Sequence, residues 1–435
     1  MCFAPPPEAY LDSRGEIMRR VLFAFLAIII FLAFLAVRVG ITPGTPDQLP
    51  EEDLEEELED PEEEIEAEFM LGSTVLLSEE RHLVEGRKVG LVTNQSGVNS
   101  RGESTKVLFF EAEDIDLKAL YAPEHGLDGK ALAGEYVKSY RHEVYDIPVY
   151  SLYGETRMPT EEMLEGIDVL IYDIQDIGAR SYTYISTLNY CMQAAEKYAV
   201  PVVVLDRPNP LGGITVAGPV MEERFISFVG IDILPKAHGM TVGEIALYFN
   251  RNVGVELTVV PMQGYDRSMI YQDTGLSWVQ TSPNIPDLEA VFGYMATGLG
   301  EGTGVFQADQ FRWVGGRGLD AEIYAARLNA AGLEGVEFIP EERSEAGGAR
   351  LEITDYRSFN PARTGIYVLT YAFELGDFTV PKSNDVIVMF DKIMGTDKMG
   401  LYLEEGLAPV EIEERFAPGI EEFKVERQKY LLPQY

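Results

Sequence analysis

The sequence is poor in the residues that metal and thiol chemistry require. It has two cysteines in 435 residues, too few for a disulfide framework or a cysteine-based metal site. Its four histidines show neither an H-x-H nor an H-E-x-x-H spacing, so the pattern gives little support to a metal-dependent hydrolase. We therefore predict that the protein holds no metal ion.

Two other motifs are also missing. No G-x-G-x-x-G follows the first strand-like segment, which argues against a dinucleotide cofactor. No G-x-S-x-G elbow is present, which weakens acyl transfer by a serine nucleophile. Together with the scarcity of metal ligands, these absences predict a protein that works without a cofactor.

Basic residues are scarce relative to acidic ones. The chain has 35 Lys and Arg against 72 Asp and Glu, a net charge of −37, which argues against a nucleic-acid partner. Residues 47–68 contribute −14 of this charge and residues 1–46 contribute +1, so residues 69–435 carry −24. The part predicted to fold is therefore itself acidic.

One long apolar run interrupts this polar composition. VLFAFLAIIIFLAFLAV (Val21–Val37) is uncharged, and about 20 such residues span a bilayer. Three arginines precede it, which favours a cytoplasmic N-terminus. We predict a single-pass membrane protein with its C-terminal domain outside the cell. Secretion after signal cleavage is the alternative, and both interpretations export the rest of the chain.

From about Gly72 onward, short apolar segments alternate with helical ones. The strand-like segments are RKVGLVTNQSG, IDLKALYAPEHG, IPVYSLYG, DVLIYDIQD and PVVVLDRPNPLGG. Helix-start signals lie between and after them, namely Thr160 as an N-cap and Thr241 with Glu244 as a capping box. Continuous apolar strands that alternate with helices predict an α/β fold with a parallel sheet covered on both faces.

The predicted organisation has five parts. They are a cytoplasmic N-terminus (1–20), a transmembrane anchor or signal (21–39), an acidic disordered linker (40–70), a catalytic α/β subdomain (71–288) and a smaller C-terminal α/β subdomain (289–435). Dense like charge keeps the linker extended, so we expect it to hold the folded part away from the membrane.

Polar residues gather where the predicted strands end, which is where open parallel sheets bind ligands. These candidates are Glu124, His125, Asp173, Gln175, Asp176, Arg180, Asp206, Arg207, Asn209, His238 and Glu301. Glycosidic bond cleavage needs two carboxyl groups, and Glu124 with one of the other acids fits that need. Each candidate also has a structural interpretation. Asp173, for example, lies in an apolar strand and needs a partner such as Arg180 or Arg207.

Long motifs carry a resemblance to a known family. They are GLVTNQSGV, PEHG, PVYSLYG, DVLIYDIQDIGARSYTYI, VVVLDRPNPLGG, LPKAHGMTVGE, DTGLSWVQTSPNIP, GEGTG and KYLL. In this order and spacing, from Lys88 to the C-terminus, the chain resembles the DUF1343 family of exo-β-N-acetylmuramidases. The resemblance implies a Rossmann-like N-terminal subdomain and an active site in a cleft between the two subdomains. It also implies hydrolysis of terminal, non-reducing N-acetylmuramic acid from peptidoglycan fragments, either muropeptides or disaccharides.

The resemblance assigns the PEHG glutamate to Glu124 and the HGMT histidine to His238. A departure occurs at EGTGVFQADQF (Glu301–Phe311), where the family's Asn position is Gly304 and its G-R-G-T is missing. This departure motivates two alternatives: a tethered wall-fragment binding protein without turnover, or a glycosidase for another N-acylated sugar.

The working hypothesis gives each candidate a role. Glu124 donates a proton to the glycosidic oxygen, and Asp173 or Glu301 is the second catalytic carboxylate. Arg180, Arg207 and His238 are the candidates for binding the lactyl carboxylate of muramic acid. The other expected substrate-binding residues are His125, Gln175, Asp176, Asp206 and Asn209. Tyr182, Tyr184 and Trp278 are candidates for stacking on a sugar face.

Overall fold

The computed structural model describes residues 69–435. The predicted anchor, and the predicted linker up to residue 68, lie outside this range. No helix between residues 69 and 435 has the length and apolar character needed to cross a membrane.

In chain order, the strands are β1 (Lys88–Thr93), β2 (Asp116–Ala122), β3 (Tyr140–Arg141), β4 (Pro148–Ser151), β5 (Val169–Asp173), β6 (Val202–Leu205), β7 (Ala217–Val220), β8 (Pro235–Ala237), β9 (Leu257–Val260), β10 (Val305–Ala308), β11 (Trp313–Arg317), β12 (Val336–Pro340) and β13 (Ala346–Ile353). The α-helices are α1 (Gly72–Ser78), α2 (Thr105–Glu111), α3 (Glu161–Leu164), α4 (Tyr184–Lys197), α5 (Val242–Val253), α6 (Leu288–Thr297), α7 (Ala321–Asn329), α8 (Pro361–Leu375), α9 (Met389–Met394), α10 (Lys398–Glu404) and α11 (Pro409–Arg427).

Within residues 69–435, the largest sheet has seven strands in the order β3-β4-β2-β1-β5-β6-β9. All neighbours pair in parallel except β3, which is antiparallel to β4. Numbered along the chain, the six parallel strands lie in the order 3-2-1-4-5-6, the doubly wound arrangement. The strand order therefore reverses between β1 and β5, and ligands bind at such a reversal in this class of sheet. The predicted α/β fold with a mostly parallel sheet is confirmed.

Both faces of this sheet are buried because both carry apolar side chains. On β5, Leu170 and Tyr172 belong to one core cluster, and Val169 and Ile171 belong to another. Helices α4 and α5 pack on the first face, and α1 and α2 on the second. A strand covered on both sides reads as a continuous apolar run, which is why the sequence pattern located it.

Two predicted helix starts are confirmed. The Thr160 hydroxyl accepts a hydrogen bond from the Met163 N–H at the start of α3. Thr241 and Glu244 form a complete capping box at the start of α5. These bonds satisfy N–H groups that a first helical turn leaves unpaired, which fixes where each helix leaves the sheet edge.

The C-terminal part is built on a four-stranded antiparallel sheet, in the order β10-β11-β13-β12. Helix α7 packs on β12 and β13, and α6 packs against α8. The last helix, α11, contacts both α8 and β7. The chain thus returns from the C-terminal part to the N-terminal part, and α6 leads directly into the turn that holds Glu301.

Candidate active site

The loop that follows β2 places Glu124 and His125 at the sheet edge. His125 adopts a left-handed conformation (φ 71°), which is uncommon for a residue with a side chain. Gly126 (φ 78°) and Gly129 (φ 67°) continue the same tight path. A Cβ at Gly129 would lie 2.2 Å from the side chain of Gln95, so this turn also requires a glycine for packing. Non-glycine residues held in this region cluster at functional sites.

Glu124 is 7% exposed and both of its carboxyl oxygens are engaged. Oε1 accepts a hydrogen bond from the Gly134 N–H (3.0 Å), and Oε2 accepts one from the Thr183 hydroxyl (2.6 Å). Thr183 directly precedes α4, so the segment that starts this helix holds one oxygen of the Glu124 carboxyl group. These two hydrogen bonds therefore hold the Glu124 side chain in a single orientation.

His125 is oriented by its own loop. Its Nδ1 lies 2.7 Å from the carbonyl oxygen of Ala131. A carbonyl can only accept, so Nδ1 carries a proton and donates it to Ala131. The imidazole also packs edge-on against Tyr184, with ring centroids 6.5 Å apart. These contacts fix the ring of His125 on the loop that also carries Glu124.

A pocket of about 190 Å³ lies over these two residues. It is lined by Glu124, His125, Ala133, Ser181, Tyr182, Thr183, Val229, Ser282, Asn284, Ile285, Tyr294 and Phe311. A second pocket, of about 480 Å³, contains the exposed Glu301 and shares Ala133, Asn284 and Phe311 with the first. We call the two together the cleft. Glu124 lines the first of these adjoining pockets and Glu301 lines the second.

Asp173 and Arg207 form a buried ion pair below the cleft. Arg207 Nε donates to Asp173 Oδ1 (2.6 Å), and its Nη2 donates to the Val98 carbonyl (2.6 Å). The two side chains are 0% and 2% exposed. Burial raises the pKa of Asp173, and the Arg207 charge opposes that rise. Neither residue lines the cleft, so the geometry favours the structural interpretation of this pair over a catalytic one.

Asp206 is also fully buried, and it organises the start of α5. Its carboxyl oxygens accept hydrogen bonds from the N–H groups of Arg207 and Gly243 and from the hydroxyls of Thr241 and Tyr435. Burial raises the pKa of Asp206 to about 7, and the nearby charge of Glu244 adds to the rise. These contacts give Asp206 a structural role.

The raised pKa predicts a pH-dependent stability. Between the ordinary value of 3.8 and about 7, the folded protein keeps the Asp206 proton that the unfolded chain has released. The free energy of unfolding should therefore fall as pH rises through this window, by at most about 1.4 kcal/mol per pH unit from this group. Urea unfolding of the wild type and Asp206→Asn at several pH values measures it. The Asn variant should lose less stability as pH rises, and parallel curves would contradict the assignment.

Gln175 and Asn209 are both buried, and their amides serve the backbone. Gln175 Nε2 donates to the carbonyls of Asp176 and Pro208, at 2.8 Å each. Asn209 Nδ2 donates to the Met240 carbonyl (3.1 Å). These bonds connect the loops that follow β5 and β6. Neither Gln175 nor Asn209 is among the residues that line the cleft.

Asp176 and His238 face each other in the interior. Asp176 Oδ2 accepts from the Gly178 N–H (2.7 Å) and lies 3.5 Å from His238 Nε2. His238 Nδ1 accepts from the Met240 N–H (3.2 Å), so its proton is on Nε2, toward Asp176. This pair is buried and joins the loop after β5 to the segment before α5.

Arg180 does not reach the cleft. Its guanidinium donates to the carbonyls of Pro219 (2.7 Å), Leu234 (2.8 Å) and Ile393 (2.8 Å). Burial lowers the pKa of Arg180 to about 9. It therefore links β7 and the loop before β8 to α9, and both of its terminal nitrogens donate to carbonyls of the protein rather than to a substrate.

Sequence reasoning missed six polar residues at the pocket over Glu124: Ser181, Thr183, Ser282, Asn284 and Tyr294, which line it, and Lys236, which lies behind it. Lys236 is 2% exposed and donates to the Ser181 hydroxyl (2.7 Å). The hydroxyls of Ser181 and Tyr294 are 3.0 Å apart, and both residues line the pocket over Glu124. Ser181 and Thr183 belong to ARSYTY, a run rich in hydroxyl groups directly before α4, which was the available signal.

Of the aromatic residues expected to stack on a sugar, Tyr182 lines the pocket. Tyr184 lies beneath it, where its hydroxyl donates to the Thr281 carbonyl. Trp278 packs edge-on against Tyr271, with ring centroids 4.9 Å apart. The structure thus brings Tyr182 to the pocket and places Tyr184 and Trp278 outside its lining.

Two family descriptions together match most of the chain. The family described as "exo-beta-N-acetylmuramidase NamZ, N-terminal" matches residues 89–289, and the family that describes the C-terminal part of NamZ matches residues 292–432. The chain belongs to the NamZ family. It is 38% identical over 378 residues to the peptidoglycan beta-N-acetylmuramidase NamZ of Bacillus subtilis (strain 168), across 83% of this chain and 90% of that protein.

Two solved structures of DUF1343 family proteins from Bacteroides fragilis NCTC 9343 are similar to this NamZ family member. One is 34% identical with a TM-score of 0.74, and covers 84% of this chain and 99% of its own. The other has a TM-score of 0.62 with the same coverage, and at 24% identity it supports the fold alone. The resemblance to the DUF1343 family is thereby confirmed.

Proposed function

We propose that this chain is an exo-acting β-N-acetylmuramidase that removes terminal, non-reducing N-acetylmuramic acid from peptidoglycan fragments, with Glu124 as the proton donor. The observation that carries the proposal is the fixed Glu124–His125 pair inside a pocket, in a chain of the NamZ family. Peptidoglycan-derived disaccharides and muropeptides are the corresponding substrates.

The hydrogen bonds around Glu124 restrict where its proton resides. The Gly134 N–H at Oε1 can only donate, whereas the Thr183 hydroxyl at Oε2 can either donate or accept. A protonated Glu124 therefore carries its proton on Oε2, and rotation of the Thr183 hydroxyl adapts to either state. This arrangement suits a group that gives up and regains a proton in each cycle.

We infer the second carboxylate from the surroundings of the two candidates, Asp173 and Glu301. Asp173 is engaged by Arg207, whereas Glu301 is exposed and lines the pocket that adjoins Glu124. The geometry favours Glu301 as the group that stabilises positive charge on the sugar ring or activates water. Gln175, Asp176, Asp206, Asn209 and His238 act as supports behind the surface that holds the sugar.

The predicted anchor fits this substrate. Peptidoglycan lies outside the cell membrane, and the apolar run with its preceding arginines favours export of the domain. We infer a tethered enzyme that trims wall fragments near the cell surface.

Hydrolysis of a chromogenic β-N-acetylmuramic acid glycoside by the purified chain tests the proposal, with the β-N-acetylglucosamine counterpart as the comparison. Turnover of the muramic substrate alone is the expected result. Turnover of neither glycoside by a folded protein that still binds wall fragments would instead support the non-catalytic binding protein that the altered segment after Glu301 motivates. Preference for another N-acylated sugar would support the related glycosidase.

A further inference from the structure

The three side chains that the sequence predicted to bind the muramic acid carboxylate already have partners within the protein. Arg180 donates to three carbonyls, Arg207 pairs with Asp173, and His238 faces Asp176. All three are buried outside the lining of the cleft. An acidic domain that binds an anionic sugar needs a cation at the surface of its site, because the net charge of −24 on residues 69–435 repels the ligand.

Arg157 is an exposed cation held in place by aromatic rings. Its guanidinium carbon lies 4.1 Å from the ring centroid of Phe228 and 5.2 Å from that of Tyr153. Phe228 in turn stacks on Tyr190, with centroids 5.8 Å apart. Within residues 69–435, no Asp or Glu oxygen lies within 4.0 Å of the Arg157 side-chain nitrogens. The charge is therefore oriented but has no carboxylate partner.

Two observations relate this guanidinium to the pocket, whose lining does not itself include Arg157. Phe228 directly precedes Val229, which lines the pocket over Glu124. Tyr153 lies close to both charged groups: burial raises its pKa, the Glu124 carboxylate adds to that rise, and the Arg157 guanidinium opposes it. Tyr153 is thus within electrostatic reach of both Glu124 and Arg157.

We propose that Arg157 is a specificity-determining residue whose guanidinium binds the lactyl carboxylate of the terminal muramic acid while Glu124 meets the glycosidic oxygen. The planar fork of an arginine matches a carboxylate with two parallel hydrogen bonds, and stacking on Phe228 fixes the plane of that fork. β-N-Acetylglucosamine lacks the lactyl group and cannot make this contact. The inference rests on the proposed muramidase activity and identifies how its substrate is selected.

The test compares two β-muramic acid glycosides: the free lactyl acid and its methyl amide, which keeps the bulk of the group and removes its charge. Arg157→Gln should lower kcat/KM for the acid by about 10- to 100-fold and for the amide by less than about threefold. Arg157→Lys should recover part of the loss because it restores the charge without the fork.

Arg415→Gln is the matched control, because Arg415 on α11 is also exposed and stacked, over Tyr402, but neither Arg415 nor Tyr402 adjoins in sequence a residue that lines the cleft. It should leave both substrates unaffected. Equal losses for acid and amide in Arg157→Gln, or no loss in either, would overturn the assignment. If the wild type cleaves neither glycoside, the proposed activity fails. In that case, calorimetry can still measure the affinity of the wild type and of Arg157→Gln for the methyl glycosides of the lactyl acid and of its methyl amide. This comparison tests the contact between Arg157 and the lactyl carboxylate without any turnover.

Discussion

Replacing Glu124 with glutamine should lower kcat for muramic acid glycoside hydrolysis by about 10²- to 10⁴-fold, which is the factor that general acid catalysis contributes. KM and the thermal midpoint should change little. Glutamine keeps an acceptor for the Gly134 N–H, and its amide can donate to the Thr183 hydroxyl, so the two contacts that hold the side chain survive. Steady-state kinetics and thermal unfolding of the two proteins measure these effects.

The choice of leaving group separates proton donation from other roles of Glu124. A dinitrophenyl leaving group departs without protonation, so Glu124→Gln should lose much less activity on that glycoside than on a disaccharide. An equal loss on both substrates would contradict the acid role and assign Glu124 to charge stabilisation or nucleophilic attack. Glu301→Gln is the informative comparison, since a second carboxylate should show a loss that depends little on the leaving group.

Glu124 and His125 show how much of the site the sequence could predict. The apolar run of β2 ended at Ala122, and parallel sheets bind ligands beyond such ends, so the pattern located the edge on which these residues lie. The same argument selected Arg180 and Asp206, which also lie beyond strand ends but turn into the interior. Sequence spacing predicts where a residue enters the fold, whereas the direction of its side chain depends on partners that pack against it from other elements.

Lys236 and Arg157 illustrate the remaining limit. Lys236 contacts Ser181 from 55 residues away, and Arg157 stacks on Phe228 from a different loop. Neither pairing has a local periodicity that a sequence pattern records. Both bring a loop of the large sheet, after β4 for Arg157 and after β5 for Ser181, against the β7–β8 region that holds Phe228 and Lys236. These residues became candidates only when the contacts were known.

Replacing Arg207 with methionine should lower the free energy of unfolding by about 3–5 kcal/mol, because it leaves the Asp173 carboxylate buried without its partner. The loss should depend on pH. Burial already raises the pKa of Asp173, and removing the opposing charge of Arg207 raises it further. A raised pKa gives stability that is present at low pH and lost as pH rises, so the deficit should be smaller at about pH 5 than at about pH 8. Urea unfolding at both pH values measures it.

The double variant Asp173→Leu with Arg207→Met decides between the two interpretations of Asp173. It removes both charges together, so it should recover most of the stability that Arg207→Met alone loses. If Asp173 only holds the loop after β5 in place, the double variant keeps kcat within about tenfold of the wild type. If Asp173 takes part in the reaction, the double variant is stable yet falls as far as Glu124→Gln does. We expect the first result, because Asp173 is fully buried, is bonded to Arg207 and lies outside the lining of the cleft.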